Sequence, residues 1–168
     1  IKALMVSDGR EVWKVNATEF YQGADRANAF GKDVDVITGG LGLGEGLVVF
    51  GTAAGEILAL SQEDGELIWR AKTSSEVLSP PQIRGDLAVA HSIDGNVSAY
   101  NVINGDRKWT YSSMLPPLSL RGTATPLLTS QYVVAAFANG RLAILNRESG
   151  LAGFDQAIGI SKGRNDLD

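Results

Sequence analysis

The chain has 168 residues, of which 44% are hydrophobic and 20% charged, with 20 glycines, 5 prolines and no cysteine. Such a composition fits an ordinary globular domain and excludes disordered, collagen-like and disulfide-stapled classes. A net charge of −4 gives no positive field for collecting a nucleic acid, and the lack of cysteine removes thiolate catalysis and thiolate metal sites.

Residues 1–15 open in the middle of a strand pattern that turns at Gly9 and reaches Trp13, and a start at Ile1 instead of Met suggests a processed or truncated N-terminus. Residues 16–31 place Phe20, Tyr21 and Phe30 among polar neighbours and read as an inserted rim loop with no assigned role. From 32 to 70 comes a glycine-rich stretch at 39–44, an apolar run at 46–50, a turn at Gly55, and a strand pair from Ile57 to Trp69 that turns at Gly65. The same order returns over 71–110, with turns at Gly95 and Gly105 before Trp109, and again from 123 onward, with turns at Gly140 and Gly150 before Phe154.

The recurrence decides the fold class. In every unit a turn glycine precedes an aromatic by four residues, and all three tryptophans occupy that slot. Trp69 and Trp109 lie 40 residues apart, whereas Pro81 to Trp109 and Pro126 to Phe154 both span 28. A constant core with variable links predicts four strands per unit, the links absorbing insertions of 5 and 16 residues. Asp94-Gly95 and Asn139-Gly140 between apolar runs predict type I′ hairpins, which need positive φ at both central residues. Four-stranded units of about forty residues predict an all-β propeller whose blades bury their faces against one another. Three blades and the outer half of an earlier one are present, so a larger propeller, eight-bladed by the resemblance given below, is expected.

No apolar run approaches the roughly 18–20 residues needed to cross a bilayer. His91, the one histidine, is expected to be a packed or hydrogen-bonded strand residue, since nothing supplies a triad around it. Glu63, Asp64, Asp94 and Asp106 flank turn glycines and read as turn chemistry. The 39–44 glycines precede no helix that could cradle a phosphate, so they are expected to let strands approach closely. Trp13, Trp69, Trp109 and Phe154 are expected to pack between blades, the indole N–H bonding to backbone. No catalytic residue and no metal ligand is assigned.

The five-residue insertion at 111–122 is the candidate binding element. Met114, Leu115, Leu118 and Leu120 stand in a link that elsewhere is polar, Pro116-Pro117 stiffens it, and Arg121 follows. Apolar anchors beside an arginine have the composition of an interface hot spot. The alternative is that these leucines fold back over the chain's own surface.

The pattern from Gly55 to Trp69 resembles the quinoprotein-like repeat. Pro117 to Gly122 leading into Ala124, Thr125 and Pro126, with Ser75 to Leu78 and Gly163 to Asp168, resembles the BamB family, propeller lipoproteins of the machinery that inserts β-barrels into the bacterial outer membrane. The resemblance covers the whole chain and corresponds to about the N-terminal half of a mature member. It implies a non-enzymatic scaffold with no cofactor on the periplasmic face of the outer membrane, binding the POTRA domains of the barrel subunit, BamA, through Leu118, Leu120 and Arg121. Direct contact with unfolded outer-membrane protein substrates is a further expectation. The lipid anchor that would supply membrane attachment is absent from this sequence, as is an acidic segment expected after Asp168. The rival reading is a fragment of a quinone-cofactor dehydrogenase, which needs acidic and asparagine ligands for calcium at the propeller centre. The candidate centre strands, 80–84 and 126–130, carry a single charge, Arg84.

Overall fold

Successive side chains of a strand point to opposite faces, so an unbroken apolar run such as 47–50 has to be covered on both sides. The computed structural model, which describes residues 1–20, 37–113 and 123–158, meets that demand by stacking sheets face to face. Strands β1 (Lys2–Leu4) and β2 (Glu11–Lys14) form a two-stranded antiparallel sheet, followed by a short 3-10 turn at Ala17–Phe20. The second sheet contains β3 (Gly42–Gly44), β4 (Leu47–Gly51), β5 (Glu56–Ser61) and β6 (Leu67–Lys72). The third contains β7 (Gln82–Arg84), β8 (Leu87–His91), β9 (Asn96–Asn101) and β10 (Arg107–Ser112). The fourth contains β11 (Leu127–Leu128), β12 (Tyr132–Ala136), β13 (Arg141–Asn146) and β14 (Ala152–Ala157). Each four-stranded sheet follows sequence order and is antiparallel throughout, giving three propeller blades and two strands of an earlier one. Strands β6 and β10 run past positions 70 and 110, because Ala71 and Tyr111 still pair with Ile57 and Val97.

The core lies between blades, in layers. Val48 and Phe50 face the first sheet with Leu58 and Leu60, where Trp13 and Ile1 pack on them. Leu47 and Val49 face the third sheet, meeting Ala88, Ala90 and Tyr100. Leu87 and Val89 point the other way, into Val133, Ala135 and Leu145 of the last blade. Period-two alternation thus sends one strand's residues into two different interblade cores.

At the inner edge, β7 lies between β3 and β11. A Cβ placed on Gly42 would sit 2.1 Å from the Pro81 carbonyl oxygen, and one on Gly44 would sit 2.9 Å from the Ile83 Cβ. The 39–44 glycines therefore permit the close approach of neighbouring inner strands.

The hairpins correct the expected turn type. Gly95 and Gly140 have positive φ, but Asp94 and Asn139 do not. The Gly95 N–H donates to Ser92 O at 3.1 Å and the Ser92 N–H to Asn96 O at 2.9 Å, a type I turn closed by a left-handed glycine. The aspartate is instead held in the right-handed region by its neighbours: Ser92 Oγ and Asn96 Nδ2 donate to its two carboxylate oxygens, at 2.6 and 2.8 Å. Type I′ geometry does occur at Glu45-Gly46, where both φ values are positive (51° and 74°).

Candidate partner-binding face

The turns between second and third strands and the links between blades share one end of the stack. Thr73 N–H donates to Gly55 O at 2.9 Å, Ser113 N–H to Gly95 O at 3.0 Å, and Ile158 N–H to Gly140 O at 2.9 Å. Every blade thereby fastens the departing link to its own central hairpin. Leu118, Leu120 and Arg121, the expected partner-binding residues, lie outside the described residues, but both flanks of their link, Ser113 and Thr123–Pro126 in position, are at this end.

The returning flank is held by His91. The residue is 2% exposed, Nδ1 lies 3.1 Å from the Ala124 carbonyl oxygen, and the ring meets Phe137 edge-on at 5.0 Å. Burial holds its pKa below the usual 6.5, against the opposing pull of the Ala124 hydrogen bond and of Asp94. Phe137 also touches Tyr111. Tyr111 donates its hydroxyl to Asp155 Oδ2 on the next blade, and Arg141 Nε donates to Asp155 Oδ1 at 2.8 Å. Burial, the Asp155 hydrogen bond and the Asp155 charge push the Tyr111 hydroxyl up to about 12, so it remains a donor.

The Ser74, Ser92, Asp94 and Asn96 side chains form a closed network at the same end. Burial works against the Asp94 charge, yet hydrogen bonds from Ser92, Ser74 and Asn96 bring its pKa below the ordinary carboxylate value. These groups satisfy one another and rigidify the hairpin.

The opposite end carries the aromatic slot. Trp13, Trp69 and Trp109 donate their indole N–H to Gln62 O (3.0 Å), Val102 O (2.6 Å) and Arg147 O (2.8 Å) of the following blade. Each ring lies on the turn glycine beside that carbonyl: a Cβ on Gly65, Gly105 or Gly150 would come within 2.8 Å of an indole carbon. Phe154 is half-buried opposite Ile144 in the last sheet. The sequence signal did not reveal Arg147, which is buried and donates from Nη2 to Arg84 O at 2.9 Å and to Asp86. Its only mark is a guanidinium where the repeat otherwise has Gln62 and Val102.

The inner strands offer Gln82 and Arg84 as their polar side chains, with no carboxylate on β3, β7 or β11, and among the described residues no three His, Asp or Glu converge on a metal position.

Comparison with known proteins places this architecture. The family described as outer membrane protein assembly factor BamB matches residues 1–168. The chain belongs to the BamB family. Among BamB proteins, that of Xanthomonas campestris is 37% identical over the whole chain, and that of Escherichia coli 31% identical over the whole chain. The chain spans 40% and 41% of their respective lengths. The crystal structure of BamB from Moraxella catarrhalis superposes with a TM-score of 0.74 at 30% identity, covering 79% of this chain and 41% of that one. The computationally designed Ika8 protein superposes with a TM-score of 0.69 at 21% identity, covering 93% of this chain and 42% of that one, a likeness of fold alone.

Proposed function

We propose that this chain is part of a non-enzymatic scaffold of the outer-membrane protein assembly machinery, acting at the periplasmic face of the outer membrane in a lipid-anchored whole protein. In this reading it binds the POTRA domains of the barrel-forming subunit. The observation that carries the reading is the full-length match to the assembly-factor family. The apolar, proline-stiffened link between Ser113 and Thr123 agrees with it, because that link departs from the end where the other interblade links gather.

Leu118 and Leu120 would bury apolar area on the partner, and Arg121 would fix register by donating to a carboxylate or to carbonyls. Calorimetric titration of the chain with purified POTRA domains tests this. Wild type binds, while Arg121→Glu and Leu120→Asp lower affinity by at least about 2 kcal/mol, the hot-spot range, with unchanged circular dichroism. Equal affinity in both variants would remove these residues from the interface. A wild-type chain that is folded and does not bind would overturn the proposal for this portion of the protein.

A further inference from the structure

Position 91 ends β8, and the matching residue of the preceding blade is Gly51. A Cβ on Gly51 would lie 2.4 Å from the Val77 Cβ, so there the interblade link rests directly on the strand end. At the next junction the link is five residues longer, and the full imidazole of a residue 2% exposed occupies the matching slot, between Phe137 and the returning chain at Ala124. A carbonyl oxygen can only accept, so the 3.1 Å contact requires the hydrogen on Nδ1. The preceding junction has no side chain at that slot, and its link is tied instead by Thr38 Oγ1 donating to Val77 O at 3.1 Å.

We propose that His91 is a positioning residue for the longer link: its Nδ1–H, bonded to Ala124 O, fixes where the chain returns to the blade, and this anchor supports the partner recognition proposed above. The anchoring stands on the described geometry alone, whereas its consequence for recognition rests on the partner-binding reading above. A buried polar donor in a tight slot is expensive unless its acceptor is held in place, so the imidazole and the Ala124 carbonyl order each other.

Amide hydrogen exchange over 113–126 in the full chain, paired with titration against POTRA domains, tests the anchor. His91→Leu keeps an apolar body and removes the donor; His91→Asn returns an amide N–H close to the Nδ1 position. Exchange in the link should rise about tenfold in His91→Leu while β8 and β9 stay protected, affinity should fall about tenfold, and His91→Asn should restore most of both. Unchanged link exchange in His91→Leu would overturn the proposal. So would raised exchange with unchanged affinity, provided that Arg121→Glu abolishes binding. Raised exchange together with an inert Arg121→Glu would keep the anchor and sink the partner reading instead. Nitrogen chemical shifts of the wild-type imidazole give a test that needs no variant: the Nδ1–H tautomer is expected, and the Nε2–H tautomer would overturn the hydrogen bond.

Discussion

Trp69 shows how one side chain joins two blades. Its ring fills the layer between the second and third sheets, resting on Gly105, and its N–H satisfies a carbonyl of the next blade that the strand ladder leaves open. Apolar burial and polar satisfaction are thus removed together by truncation, and Trp69→Ala should lose about 3–5 kcal/mol in urea unfolding. His91 adds a pH dependence of definite sign. Its folded-state pKa lies below 6.5, so the unfolded chain takes up the proton first as pH falls. The associated stability is complete above about pH 6.5 and declines below it. Between about pH 7 and pH 5.5, above the main carboxylate range, the melting temperature should fall, and His91→Asn should flatten that fall. A variant with the wild-type slope would remove His91 as the titrating group.

At the scale of elements, close approach and bulges set the blade geometry. Trp13, Trp69 and Trp109 lie opposite Ala3, Ala59 and Ala99, and the register shifts next to each pair. A small residue across the strand leaves room for the indole to turn toward the next blade, and the bulge increases the local twist. In the last sheet Phe154 stands opposite Ile144, a smaller ring facing a larger aliphatic side chain, with the bulge still present. On the inner strand, Gly42→Ala would drive a Cβ into the Pro81 carbonyl at 2.1 Å. The obstacle is backbone and cannot rotate away, so about 1–3 kcal/mol of destabilisation is expected, read from the urea midpoint. Arg147, Asp86 and Lys108 stitch the third and fourth sheets at the end that carries the aromatic slot, with Arg147 supplying the main chain that receives Trp109 and the guanidinium that reaches Asp86.

For the whole molecule, burial falls off from the middle outward. Strands β4 and β8 are buried at every position, while β12 alternates, with Tyr132 48% and Leu127 59% exposed on the last sheet. Amide exchange should therefore be slowest in β8 and β9 and much faster in β1, β2 and β14, since local opening follows the number of apolar contacts that must be broken. Uniform exchange across all four sheets would refute that gradient. By itself, the sequence determined the all-β class, the four strands per blade and the slot of the tryptophans, because turn glycines and alternating apolar residues are local signals that repeat four times. It also singled out Leu118, Leu120 and Arg121 as the proposed partner-binding residues, without determining what they touch. Only the tertiary structure decided that the Asp94 and Asn139 turns are type I, that Arg147 bridges to Asp86, and that His91 holds Ala124 across 33 residues of chain. Each of those depends on groups from different blades or on side chains competing for one backbone conformation, and a pattern along one strand carries no information about which partner the stacking brings within hydrogen-bonding distance.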